Sequence, residues 1–247
     1  MKKSVLILIL LVQTSVFFSC SDGGGGSSLP QYQYHTPDEV QAFLSEVNSR
    51  YPLITRLAPV GNSVQGRPIT AIIISDIDDP ANPGLPESES RIRLTGGIHG
   101  SEMISVELMI RFIEYLTYNY NKDADVTELV DSRYIVIIPD LNPDGLARKT
   151  RFNSKDVDLN RDFWIYYTDG SPGSKILSQP ESQAIVSFSQ SNIFHLSATF
   201  HSGAVLLNMP FDFAKESVEA PDENTLVKSF AKSYTTAGTF LHNPDLS

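Results

Sequence analysis

His99 and Glu102 stand three residues apart in Gly96-Gly97-Ile98-His99-Gly100-Ser101-Glu102, and His201 lies far downstream in Thr199-Phe200-His201-Ser202-Gly203. Two imidazoles and one carboxylate form a ligand set for a hydrolytic zinc, with a fourth position open to water. A His-x-x-Glu pair alone recurs by chance in many proteins, so it needs support from the rest of the chain. Asn142-Pro143-Asp144-Gly145 reads locally as a β-turn. Beyond it comes Val157-Asp158-Leu159-Asn160-Arg161-Asp162-Phe163, where Asn160 and Arg161 could clamp a carboxylate. Arginine binds carboxylates bidentately through charge-assisted hydrogen bonds. In isolation, an exposed arginine in an ion pair is the better explanation of Arg161.

These residues need elements to position them. Thr36-Pro37 reads as an N-cap followed by proline at the first helical position, and Val40, Phe43, Leu44 and Val47 recur at helical spacing up to Tyr51-Pro52. Pro68 to Ser75 reads as a buried strand, Pro80 to Pro86 as a loop, and Arg91 to Thr95 as a short strand running into Gly96-Gly97. Glu102 to Tyr118 is a long, mostly apolar helix, and Tyr134 to Pro139 is a third strand. Pro180 to Ser191 reads as a helix, Leu196 to Phe200 as a strand ending at His201, and Asp222 to Ala237 as a last helix. Strands alternating with helices argue for an α/β layered domain with a parallel or mixed sheet. In such sheets, sites gather beyond the carboxyl ends of strands, where His99 and His201 both fall.

Composition narrows the function classes. A net charge of −10 disfavours nucleic acid as a partner, because phosphate binding needs a basic face. The single cysteine, Cys20, excludes an internal disulfide framework and a cysteine-rich zinc site. Residues 1–19 read as a signal peptide: Lys2 and Lys3 precede an apolar run too short to span a bilayer comfortably. Ser19-Cys20 resembles the cleavage and lipidation site of a bacterial lipoprotein, and residues 20–30 read as a Gly/Ser-rich tether. The expectation is an exported protein of the bacterial cell envelope, lipid-anchored through Cys20 and meeting the membrane only through that anchor. A plain signal peptide, with a periplasmic or secreted product, is the alternative.

The order His-x-x-Glu, Asn-Pro-Asp-Gly, Asp-Leu-Asn-Arg-x-Phe, His-Ser-Gly resembles the zinc metallocarboxypeptidases of the carboxypeptidase A-like superfamily. Gly61-Asn62-Ser63-Val64-Gln65-Gly66-Arg67 looks like that family's early Gly-x-Ser-x-x-Gly-Arg segment. His201-Ser202-Gly203-Ala204 followed by Asn208-Met209-Pro210-Phe211-Asp212 is similar to the carboxypeptidase N/E branch, with Met209 where tyrosine is usual. The resemblance implies a three-layer α/β/α fold with a mixed, mainly parallel twisted sheet (phosphorylase/hydrolase-like) over residues 31–247. It implies one Zn2+ ion held by His99, Glu102 and His201, and peptide or protein C-termini as partners. Arg151, nine residues before Asn160, matches the arginine that polarises the scissile carbonyl; Arg148 is the competing choice. Asn160 and Arg161 match the pair that grips the substrate's free carboxylate. Asp212 matches the aspartate that faces a C-terminal lysine or arginine.

The family's general-base glutamate lies several dozen residues after the third zinc ligand. The expectation is therefore a chain that ends before that glutamate and before the last strand and helix, with little activity in the form given. Two alternatives stay open: a non-catalytic zinc or peptide-binding module, and a cell-wall peptide amidase on the same scaffold. His195 is expected to be structural, while His35 and His242 match no motif.

Overall fold

The computed structural model describes residues 33–76, 89–163, 177–204, 207–208 and 224–237. Helix α1 (Pro37–Arg50) opens with a capping box in which the Thr36 hydroxyl accepts from the Glu39 backbone and the Glu39 carboxylate accepts from the Thr36 backbone at 2.7 Å. Strands β1 (Thr55–Asn62), β2 (Pro68–Ile74), β3 (Ser90–Thr95), β4 (Arg133–Ile138) and β5 (Leu196–Thr199) form one sheet in the order β1-β2-β4-β3-β5. The remaining elements are α2 (Met103–Asn119), α3 (Ala124–Ser132), α4 (Pro143–Arg148), a 3-10 turn at Leu159–Arg161, α5 (Pro180–Ser191) and α6 (Asn224–Ala237).

Alternation along the central strands makes two cores. Ile72 and Ile74 of β2 and Ile135 and Ile137 of β4 face α1, α2 and α3, where Leu44, Met109, Ile113 and Leu129 bury. Ile69, Ala71 and Ile73 of β2 and Val136 and Ile138 of β4 face the other way, toward Leu159 and Ile185 of α5. A period of two sends successive side chains to opposite faces, so both faces of these strands are apolar and both are covered. The result is the expected three-layer α/β/α arrangement with a mixed sheet. Among the described strands, β1/β2 and β2/β4 pair antiparallel, whereas β3/β4 and β3/β5 pair parallel.

The parallel half positions the site. Thr95 pairs with Ile138 on one side and Thr199 on the other, so β3, β4 and β5 end together. His99, the Asn142 segment and His201 leave the sheet at this common end.

Two local expectations change. Asn142-Pro143-Asp144-Gly145 is the start of α4 rather than a free turn: Asn142 Oδ1 caps the Gly145 N–H at 2.9 Å and Pro143 occupies the first turn. The stretch 55–62 is an additional strand, placed on the sheet edge with a bulge between Pro59 and Gly61. An edge strand tolerates a proline that a central ladder would reject. The predicted loop at Pro80–Pro86, the signal peptide, Cys20, the tether and the 238–247 end lie outside the described residues.

Candidate functional site

The chain leaves β3 through Gly96-Gly97 and doubles back into α2. Gly97 has φ +65°, a backbone conformation that glycine adopts without steric cost. At Gly100 a Cβ would sit 1.9 Å from the Gly145 carbonyl carbon, so the turn and α4 cross backbone on backbone. Asn142 Nδ2 donates to the Ile98 carbonyl at 3.2 Å and fixes the crossing beside His99. Ser105 completes the turn, accepting from the Gly97 N–H and donating to the Glu102 carbonyl. Glu102 occupies the N-cap position of α2, yet its side chain makes no capping bond and turns outward to the histidines.

His99, Glu102 and His201 come together with ligand atoms all within 4.8 Å of one another. His99 Nδ1 lies 2.9 Å from Glu102 Oε1, and His201 Nδ1 lies 3.0 Å from Glu102 Oε2. The two rings have centroids 4.9 Å apart. Both Nδ1 atoms thus face one carboxylate. The Ser202 N–H also donates to Glu102 Oε2 at 3.0 Å. Burial acts to raise the Glu102 carboxyl, but the Ser202 and imidazole hydrogen bonds outweigh it and hold the group below its ordinary range. An ionised carboxylate beside two imidazole nitrogens is the donor chemistry that zinc takes.

Behind His99 stands Asp158, a residue whose part in the site is invisible in the sequence. Its Oδ1 lies 3.0 Å from His99 Nε2, which fixes the ring and leaves Nδ1 to face Glu102. Its Oδ2 accepts from Arg151 Nε at 2.9 Å. Oδ1 also accepts from the Asn160 N–H at 2.9 Å and caps the 3-10 turn. Burial pushes the Asp158 carboxyl up, and its bonds to Arg151 and His99 bring it below the usual value. One carboxylate therefore ties His99 of the candidate metal triad, an arginine and the turn that carries Asn160 and Arg161.

Arg151 Nη1 reaches Glu102 Oε1 at 3.5 Å, on the rim of the triad. Arg148 points elsewhere, to Asp156 Oδ1 at 2.7 Å and to the Asn153 carbonyl. Asn160 is half-buried and Arg161 exposed, with Arg161 Nη1 donating to the Asn160 carbonyl at 2.9 Å. Asp212 lies outside the described residues, as does His242. His195 is structural, just before β5: its Nδ1 accepts from the Arg91 N–H and its own N–H donates to the Arg91 carbonyl. His35 pairs with the buried Glu107 of α2, its Nδ1 lying 2.9 Å from Oε1. No helix among the described residues is long and apolar enough to cross a membrane.

The family described as zinc carboxypeptidase matches residues 40–241. Carboxypeptidase D of Anas platyrhynchos is 34% identical over 221 residues, covering 83% of this chain and 15% of that protein. Carboxypeptidase M of Mus musculus is 33% identical over 190 residues, covering 73% of this chain and 41% of that protein. Carboxypeptidase E of Caenorhabditis elegans is 34% identical over 285 aligned residues, covering 99% of this chain and 60% of that protein. The chain thus spans less than two thirds of each of these relatives. Among solved structures, thrombin activatable fibrinolysis inhibitor shares the fold with a TM-score of 0.67 at 22% identity, covering 81% of this chain and 54% of that one. Carboxypeptidase A from Helicoverpa armigera does so with a TM-score of 0.57 at 23% identity, covering 70% and 46%. Matched over most of its length, and with the ligand triad gathered where its strands end, the chain belongs to the zinc carboxypeptidase family.

Proposed function

We propose that this chain acts in a zinc-dependent metallocarboxypeptidase that hydrolyses the last peptide bond of peptides and proteins. The observation that carries the reading is the position of Asp158, which holds His99 and Arg151 and caps the turn bearing Asn160 and Arg161. Metal ligands and substrate-gripping residues are thereby set relative to one another through one side chain.

Zinc held by His99, Glu102 and His201 would supply a bound water of lowered pKa and a Lewis acid for the carbonyl. The chain's own groups do the rest. Arg161 and Asn160 bind the substrate's free carboxylate and so admit only its final peptide bond to the triad. Arg151 donates to the carbonyl oxygen as that oxygen gains negative charge, a contribution that is usually the largest in such reactions. Arg148 suits this role less well, because its guanidinium goes to Asp156 and the Asn153 carbonyl, whereas that of Arg151 reaches Glu102 of the triad. Asp212 supports a preference for C-terminal lysine or arginine. Export, with Cys20 as the lipid-bearing residue, places the reaction at the cell envelope.

The test is hydrolysis of matched peptides with free and amidated C-termini, before and after chelation and zinc readdition. The reading expects zinc-restored release of the last residue from the free peptide only, faster for arginine than for leucine. Equal cleavage of the amidated peptide would replace it with the amidase reading, and binding without cleavage would favour a peptide-binding module.

A further inference from the structure

The Gly61-to-Arg67 turn between β1 and β2 has no part in the chemistry above, yet three fully buried polar side chains, Asp144, Asn153 and Glu181, gather at it or beside it. Ser63 Oγ donates to Asp144 Oδ1 at 2.8 Å, and the Gln65 N–H donates to Asp144 Oδ2 at 2.9 Å. Glu181, in the first turn of α5, accepts from the Val64 N–H at 3.0 Å and from Asn153 Nδ2 at 3.2 Å. Asn153 in turn accepts on Oδ1 from the Lys155 and Val157 N–H groups, at 3.0 and 3.1 Å. Its backbone N–H closes a ring onto the Val157 carbonyl. Ser154 Oγ donates to Asp144 Oδ2 at 2.9 Å.

The site loop is thus gripped between its two working residues: Arg151 precedes the Asn153–Val157 ring and Asp158 follows it. Burying a carboxylate is costly unless its oxygens are satisfied. Glu181 makes no ion pair among the described residues, and it meets that cost with neutral donors from two separate segments. An apolar contact would hold those segments together equally well, but it would not fix the loop's register. Directional bonds do.

We infer that Glu181, Asn153 and Asp144 form a positioning frame that uses the Gly61–Arg67 turn to set the 151–161 loop, and so governs carbonyl polarisation, carboxylate grip and, through Asp158, the support of His99. The inference rests on the proposed carboxypeptidase reading. It goes beyond it by assigning the turn and three buried side chains to the alignment of Arg151 and Arg161.

The test uses the full chain and three variants: E181Q, N153D and the double N153D/E181Q. E181Q sets an amide N–H2 against Asn153 Nδ2, and N153D sets a second carboxylate against Glu181. In the double variant the new amide donates to the new carboxylate, the Val64 N–H keeps its acceptor, and the Gln179 amide, whose Oε1 accepts from Asn153 Nδ2 at 2.9 Å in the parent, turns over to present its NH2. Both single variants are expected to fold and, at saturating zinc, to show kcat/KM for a free C-terminal peptide down about 100-fold. The double variant is expected to recover to within about 5-fold of the parent. Single variants within about 3-fold of the parent, or a folded double variant no better than the worse single, would overturn the inference. A second arm needs no activity. Amide hydrogen exchange on Ser63→Ala, which removes one donor to Asp144, should speed exchange at Val157 and Asn160 but not in β2 or β4. Unchanged exchange at those two amides would equally overturn it. A parent too slow to assay would leave the decision on the frame to the exchange arm alone.

Discussion

Asp158→Asn gives a direct measure of how far the metal site depends on its support. The carboxylate makes three bonds: 3.0 Å to His99 Nε2, 2.9 Å to Arg151 Nε and 2.9 Å to the Asn160 N–H. An amide has one acceptor oxygen. If that oxygen keeps His99 and Asn160, the NH2 group opposes the Arg151 N–H; if it keeps Arg151, the NH2 group opposes His99. The His99 side chain is 1% exposed and that of Asp158 16%, so water substitutes poorly for the lost partner. A hydrogen bond to a charged group is worth roughly 1.5–3 kcal/mol. At about 1.4 kcal/mol per tenfold, that is about a 10- to 150-fold loss in zinc affinity, in line with the usual cost of losing a ligand's hydrogen-bond partner. The assay is competition for zinc against a chromogenic chelator, with circular dichroism to check the fold. A folded Asp158→Asn protein that binds zinc within about twofold of the parent would show that the His99 ring is held without this carboxylate.

Two further perturbations probe the scaffold. Gly100→Ala places a methyl 1.9 Å from the Gly145 carbonyl carbon, so the ligand-bearing turn must separate from α4; stability should fall by more than about 3 kcal/mol in urea unfolding, and a loss under about 1 kcal/mol would show that the crossing is loose. Asp140, buried at the end of β4 with Oδ2 unpartnered among the described residues, has its carboxyl pushed up to about 8 by burial, with Asp144 adding to the rise and the Asn142 N–H opposing it. The folded protein keeps this proton while the unfolded chain releases it near pH 4, so the associated stability is complete below about pH 4 and is lost as pH rises through about 8. Asp140→Asn removes that dependence, and its Tm relative to the parent should climb between about pH 5 and pH 8.5; parallel Tm profiles would contradict this.

What could be read from the sequence follows the range of the interactions. Thr36, Pro37 and Glu39 announce α1 because a cap is a local device, and the isoleucine-rich β2 and β4 announce themselves because both their faces are buried. Strand β1 does not: Arg56, Pro59 and Gly61 break the pattern, and only its place on the sheet edge makes it a strand. Helix α3 has one local signal, the N-cap Asp123, which accepts from the Asp125 and Val126 N–H groups. Asn142-Pro143 carries turn and helix-start signals at once, and the close approach of Gly145 to Gly100 is a long-range fact. The site divides in the same way. The candidate zinc ligands and the Asn160-Arg161 pair sit in short motifs, so the sequence exposes them. Asp158 lies inside such a motif, but its bond to His99 spans 59 residues, and Glu181 reaches Val64 across 117. Nothing in the linear order pairs them.

Zinc content of the purified full chain, measured by elemental mass spectrometry after dialysis, should be stoichiometric in the parent. It should be lost in His99→Ala and in His201→Ala, with the fold retained. Unchanged zinc in either folded variant would contradict the ligand assignment, and with it the reading of the site.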